Sequence, residues 1–508
     1  MQALFDDGPP PDCPAPFNLA AHVLARAGTL ADRIALSVIS PQGAERWSYG
    51  RLEAAVRGTA TGLLREGLTP GDRLLMRIGN TVDFPITYLA ALAADLVPVP
   101  TSALLTVPEI TRIATEITPR LIVAAEGVAL PADPPCPVLT TGELAAMRDL
   151  PPADYAMGDP ERPGYIIYTS GTSGVPRAVV HAHRAIWARR MMWEGWYGLT
   201  GADRLLHAGA FNWTYTLGTG LLDPWSVGAT ALIPATGVTP DQLPLLIRRY
   251  DTTIFAAAPG VYRQMLKHPI QAAPKLRHGL SAGEKLPEAT RHAWEEATGT
   301  PIYEAYGMSE CSTFVSGSPV RPAPVGTLGY PQPGRRVAVI GAEGIVARGA
   351  PGTLAVSDRD PGLMLGYFGA EAETRARFDG EWFLTGYTVE MAGDGALTYL
   401  GRSDDMMNAG GVRVSPIEVE QAMNTHPAIE ECAAAEVTVK ADTTVIACFY
   451  VGPEDADEAK LSAFAAERLA RYKCPRIFVR VEALPKGANG KILRRRLRET
   501  WEHDHGQA

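Results

Sequence analysis

A chain of 508 residues with 46% hydrophobic and 20% charged residues has an ordinary globular composition and material for roughly three domain-sized units. Its net charge of −9 and isoelectric point near 5.7 argue against a nucleic-acid groove as the main surface, so any anion site must be locally basic and no nucleic acid is expected as a partner. The cysteines at positions 13, 136, 311, 432, 448 and 474 form no CxxC pair and have no histidine at metal-ligand spacing beside them, which suits a reduced, cytoplasmic setting.

The acidic, proline-rich start MQALFDDGPPPDCP has neither the basic nor the apolar region of a signal peptide. Apolar runs such as YLAALAADLVPVP are broken well short of the roughly 18 residues of a membrane span, so no integral membrane contact is expected. From residue 50 to 130 helical and strand patterns alternate. RLEAAVRGTATGLLREG predicts a helix closing at Gly67, RLLMRIG a strand, DFPITYLAALAADLV a helix, PEITRIATEI a helix and RLIVAAE a strand. LPLLIRRYDTTIFAAAP repeats the helix-to-strand unit, and the fold class is α/β with layered architecture.

The stretch Tyr168 to Arg177, YTSGTSGVPR, places the hydroxyls of Thr169, Ser170, Thr172 and Ser173, two glycines and an arginine in one loop. Gly171 and Gly174 let backbone N–H groups approach an anion, which suits phosphate. Neither the GxxxxGK[ST] nor the GxGxxG spacing occurs, and YIIYTS and RAVVHAH on either side read as strands, so the loop is expected to join two strands without a helix dipole. A solvated Ser/Gly turn is the competing reading of this loop taken alone.

Past Gly401 the units shorten and mix α and β, which puts a domain boundary between 1–402 and 403–508. Ser415-Pro416-Ile417-Glu418 reads as a capping box, EVTVKADTTVIACFYVG as a hairpin, EAKLSAFAAERLARY as an amphipathic helix, RIFVRV as a strand and ILRRRLRETWEH as a basic helix. The arginines at 494 to 496 read as a solvated or phosphate-facing surface of that helix.

Four more segments stand out: SAGEKLP (281 to 287), YEAYGMSE (303 to 310), TGY with GRSDD and AGG (385 to 411), and LPKGANGK (484 to 491). With the first loop, in this order, they make the chain resemble the adenylate-forming superfamily over nearly its whole length. That superfamily contains acyl- and aryl-CoA synthetases, luciferases and the adenylation domains of peptide synthetases. The resemblance implies a large N-terminal layered α/β domain and a small mobile C-terminal α+β domain turning about Asp404. It also implies ATP, Mg²⁺ and coenzyme A: a carboxylate attacks the α-phosphate, and a thiol then displaces AMP.

Carried over residue by residue, Ser170 to Gly174 with Thr169 and Arg177 match the phosphate grip, and Glu310, with Thr169, matches the magnesium position. Ser309 matches a phosphate-contacting hydroxyl. Ser281, Ala282, Gly283, Glu284, Glu304, Ala305, Tyr306 and Gly307 match the nucleotide slot, in which Tyr306 stacks on adenine. Arg402 matches the ribose-contacting arginine, Lys491 the lysine that stabilises the adenylation transition state, and Gly410 and Gly411 the passage for pantetheine. Phe211, Asn212 and Trp213 correspond to the acid-binding segment, with Ala282 and Ala305 also lining the pocket.

The chain departs from the family at three places. Tyr387 stands where an aspartate normally binds the ribose hydroxyls, Arg177 and Ala178 replace lysine and glycine, and Ser173 replaces threonine. Asp394 lies in a Gly-Asp-Gly turn and is a poor substitute for the missing carboxylate. No anion stands at Phe211-Asn212-Trp213 to hold an amino-acid ammonium, and Gly307 replaces the tryptophan of acetate-specific relatives. HAHRA after the loop is similar to benzoate-CoA and medium-chain acyl-CoA ligases. The reading is therefore an ATP-dependent acid–CoA ligase for an aryl or short-to-medium-chain acid. Alternatives are an adenylation enzyme loading a carrier protein and a relative with impaired ATP binding. Monomer and homodimer stay open.

Overall fold

The computed structural model describes all residues except 170–175, 284, 403–404, 410–411, 441–442, 455, 470, 472, 488–491 and 506–508. The chain divides into two compact units: Asp6–Arg336 with Ser357–Trp382, and Met1–Phe5 with Val337–Val356 and Phe383–Ala508. The second unit thus takes in strands that precede Gly401 as well as the segment that follows it.

The larger unit is built on a nine-stranded sheet. Its order is Tyr330–Pro331, Ser312–Ser316, Ile302–Met308, His278–Ala282, Ile254–Ala257, Arg204–His207, Thr230–Pro234, Ile34–Ile39 and Ala44–Ser48. From Ile302–Met308 to Ile34–Ile39 all neighbours pair in parallel. Runs such as Ile254–Ala257 and His278–Ala282 are buried throughout, as a strand covered on both faces requires. The strand order reverses at Arg204–His207, flanked by the two strands that follow it in sequence. A crevice at the C-terminal ends of the strands beside such a reversal is where open α/β sheets bind ligands.

A second, parallel sheet is Val97–Pro100, Arg73–Arg77, Leu121–Ala124 and Val138–Thr140. The helices that cover it follow the sequence pattern: Tyr49–Arg65 starts at the N-cap Ser48, and Val107–Ile117 starts at a Thr106/Glu109 capping box. A three-stranded antiparallel sheet orders Gly366–Tyr367, Arg177–Ala182 and Pro163–Thr169.

Trp382–Met391, which lies in the smaller unit from Phe383 on, and Leu397–Arg402 form an antiparallel hairpin. The hairpin of Glu431–Lys440 and Thr443–Val451 takes Ile477–Arg480 as a parallel third strand. Pro416–Met423, Glu458–Arg468 and Arg494–His505 are the helices of this part.

Two local expectations fail here. Ser415 caps its helix by accepting from the Glu418 N–H, but the Glu418 carboxylate pairs with Lys473 instead of reaching back, so the box is half formed. Arg494 is not a solvated helix surface: it is largely buried and binds Glu420 at 2.7 Å and Asp405 at 3.5 Å. Glu420 lies on the buried face of its own helix and needs a cation, which outweighs the hydration of the arginine. Arg495, one residue on, is exposed and pairs with Glu499.

Burial holds several histidines of the larger unit neutral, pushing His22, His181 and His278 down to about 4 and His207 to about 3. Groups depressed below their unfolded value of 6.5 contribute stability that is complete above that pH and is lost as pH falls toward the folded value. Glu304, which burial pushes up to about 7, acts in the opposite sense and cancels one of them. The unfolding free energy should therefore drop between pH 6.5 and 4, by up to about 1.4 kcal/mol per pH unit for each histidine left uncancelled. Urea titrations at pH 7 and pH 5 that agree within error would refute this.

Candidate active site

The alternating sequences PGYIIYT and RAVVHA pair as an antiparallel hairpin whose last register pair is Thr169 with Arg177. The connecting residues, including Ser170, Gly171, Thr172, Ser173 and Gly174, lie outside the described residues. The stem places Thr169 and Arg177 at the mouth of that loop. Arg177, about one-third exposed, pairs with Glu373 at 2.7 Å.

The last parallel strand, Ile302–Met308, turns back into the antiparallel strand Ser312–Ser316, which sets Ser309 and Glu310 at the tip. A Cβ at Gly307 would lie 2.1 Å from the Ser312 carbonyl oxygen, so the turn requires glycine there. From the hairpin of Pro163–Thr169 and Arg177–Ala182, His181 Nε2 meets the Ser309 carbonyl at 2.7 Å. From the adjoining strand, the Tyr367 hydroxyl donates to Glu310 Oε1 at 2.8 Å. On the other side Arg189, buried and paired with Asp223, donates to Ser312 Oγ at 2.6 Å.

Parallel register sorts the residues expected at the nucleotide slot by face. Ala282 pairs with Ala305 and Ser281 with Glu304, so the two alanines share one face and Ser281 and Glu304 the other. Glu304 accepts from the Leu286 N–H at 2.9 Å and from Arg291 at 3.1 Å, which ties the strand to the segment after Gly283. Glu284 lies outside the described residues. Tyr306 stands edge-on to Phe314 at 5.7 Å.

The segment Phe211-Asn212-Trp213 follows Arg204–His207, at the reversal of strand order. Asn80 pins it, donating to the Gly209 carbonyl at 2.7 Å and accepting from the Phe211 N–H at 2.9 Å. Phe211 turns into the core against Phe84, 5.4 Å between rings, while Asn212 is half-buried. Trp213 goes the other way. It packs edge-on to Tyr215 at 5.1 Å and lies over Gly283, whose Cβ would meet the indole at 2.5 Å. Trp213 thus shares an apolar cluster with Ala282, Ala305, Trp196 and Tyr215, and Phe211 does not.

In the smaller unit the register sets Tyr387 opposite Arg402, and the Tyr387 ring tilts against Tyr399 at 5.8 Å. Asp394 accepts from the Ala396 N–H at 3.0 Å within the hairpin turn. Asp404, Gly410, Gly411 and Lys491 lie outside the described residues.

Sequence reasoning overlooked His181, Tyr367, Asn80 and Arg189. HAHRA was the only signal for the first, and nothing local marks the others, since their partners are distant in the chain. Among the described residues no three His, Cys, Asp or Glu side chains gather as a metal cage, and no helix is long and apolar enough to cross a membrane. A single carboxylate is nevertheless what Mg²⁺ needs when nucleotide phosphates and water complete its oxygen shell, so Glu310 fits that ion.

A family model for an AMP-binding enzyme matches residues 24–368, and one for an AMP-binding enzyme C-terminal domain matches residues 418–491. A benzoate–CoA ligase of Thauera aromatica is 32% identical over 517 aligned positions, covering 96% of each chain. The crystal structure of a benzoate CoA ligase from Burkholderia xenovorans LB400 superposes with a TM-score of 0.83 at 30% identity, over 95% of this chain and 100% of that one. An anthranilate CoA ligase in complex with anthranoyl-AMP gives 0.85 at 26% identity, over 96% and 98% of the two chains.

Proposed function

Because this chain belongs to the AMP-binding enzyme family and is an AMP-forming carboxylic acid–CoA ligase, we propose that its acid is an aryl acid, converted to acyl-AMP and then to the CoA thioester. The observation that supports the aryl reading is an apolar, aromatic cluster: Ala282 and Ala305 side by side on one sheet face, with Trp213 and Tyr215 in the same cluster and no ionised residue in Phe211-Asn212-Trp213. Flat rings suit surroundings of small residues and aromatic faces. The names of the similar ligases point the same way.

In this reading the loop after Thr169, together with Arg177, grips the β- and γ-phosphates, and Tyr306 stacks on adenine. Ser309 would contact phosphate, and Glu310 and Thr169 would hold Mg²⁺, which would supply positive charge against the triphosphate. Each of these groups reduces the repulsion between two anions and aligns the attack. By the resemblance, Arg402 and Tyr387 occupy the ribose-contacting positions and Lys491 that of the lysine that stabilises the transition state. The domain after residue 402 turns about Asp404 so that Gly410 and Gly411 admit pantetheine.

Pyrophosphate release should depend on an aryl acid, with benzoate and its hydroxy and amino derivatives turning over faster than hexanoate, and should yield AMP and a thioester when CoA is supplied. A preference for the aliphatic series would reject the aryl assignment. Exchange without consumption of CoA would instead favour a carrier protein as acceptor. Absence of any acid-dependent exchange would favour a non-catalytic relative, the reading that Tyr387 motivates.

A further inference from the structure

The Ser309–Glu310 tip receives little support from its own hairpin: backbone pairing stops at Met308 with Ser312, and the Cys311 N–H closes the turn on Met308. Its other bonds come from the three-stranded sheet that carries the phosphate loop and from the segment beside it. The Met364 N–H donates to the Glu310 carbonyl at 2.8 Å, the Tyr367 hydroxyl to the Glu310 carboxylate at 2.8 Å, and His181 Nε2 meets the Ser309 carbonyl at 2.7 Å. A carbonyl only accepts, so Nε2 carries the proton. The ring stacks on Tyr165 of the neighbouring strand at 5.0 Å and is buried, which keeps it neutral and its tautomer constant.

We infer that His181 and Tyr367 are positioning residues, which lock the carboxylate of Glu310 and the hydroxyl of Ser309 to the stem of the phosphate loop. The inference rests on the reading of Glu310 as the magnesium carboxylate. It goes beyond that reading in assigning the geometry of the carboxylate to a tyrosine on a different strand. A carboxylate at a turn tip has free rotation about three bonds. With one oxygen held by Tyr367, the other is presented in one direction, so metal and nucleotide bind without first ordering the side chain. His181 fixes the backbone on which Ser309 sits, and the stem strands and the metal ligand are thereby held as one piece.

Tyr367→Phe keeps the ring and removes only the hydroxyl. In the full-length enzyme it should raise the Mg²⁺ concentration for half-maximal pyrophosphate release roughly tenfold or more. It should weaken calorimetric binding of Mg·ATP in parallel, with the KM for benzoate and the melting temperature close to the parent's. His181→Gln keeps an N–H near the Nε2 position and should retain Mg·ATP affinity, whereas His181→Leu should lose roughly tenfold. A Tyr367→Phe enzyme with the parent's Mg²⁺ dependence and Mg·ATP affinity, or His181 variants to Gln and to Leu that behave alike, overturns the inference. Glu310→Gln separates the two levels. If it leaves the Mg²⁺ dependence unchanged, the reading of Glu310 falls and the inference with it; if it abolishes that dependence while Tyr367→Phe does nothing, only the inference falls.

Discussion

Replacing Lys491 by alanine is expected to slow acyl-adenylate formation about a hundred- to a thousandfold, the usual cost of removing one preorganised charge from a transition state. The lysine ends the glycine-containing run GANGK, and the preceding lysine, Lys486, is engaged by Glu431 at 2.6 Å. The effect should be confined to the first half-reaction. Single-turnover measurement of pyrophosphate release should show the loss, while thioester formation from CoA and separately prepared acyl-AMP should stay within about twofold of the parent. Equal losses in both steps would mean that Lys491 acts on folding or on the acid, not on the transition state of adenylation.

The second large effect has the opposite sign. If Tyr387 occupies the ribose-binding position, as the resemblance implies, an aspartate there would offer the ribose two charge-assisted hydrogen bonds. Tyr387→Asp should therefore lower the KM for ATP by roughly 30- to 1000-fold, equivalent to about 2 to 4 kcal/mol. The structure supplies the counter-term. Tyr387 pairs across the hairpin with Arg402 and its ring contacts Tyr399, so the variant gives up an aromatic cross-strand contact of about 0.5 to 1 kcal/mol in the smaller unit. A small drop in melting temperature with a large gain in ATP affinity is the expected pair of results. An unchanged KM would show that the Tyr387 hydroxyl already does the work of the carboxylate or that position 387 does not limit nucleotide binding.

Much of this protein is legible in its sequence because the informative signals are local. Alternation of apolar and polar residues marks both strands of the phosphate-loop hairpin, and the structure pairs them from Pro163 with Ala182 to Thr169 with Arg177. Apolar periodicity and caps locate the helices at Tyr49–Arg65 and Val107–Ile117. Motif order alone identified the adenylate-forming family, through residues that chemistry restricts whatever the surrounding fold.

Tertiary structure decided what each of those residues faces. Phe211 and Trp213 are two positions apart and look equivalent in the sequence, yet one packs into the core against Phe84 and the other covers Gly283. Sequence gives no sign of what Glu304 bonds to, and the parallel register sets it on the face where Leu286 and Arg291 engage it. Arg494 reads as solvated because its neighbours are arginines, and a glutamate 74 positions earlier buries it. The bonds from His181 to Ser309 and from Tyr367 to Glu310 span 128 and 57 positions. A hydrogen bond depends on distance and direction in space, and only the packing of sheets brings such partners within 3 Å, so no spacing rule along the chain could have announced them.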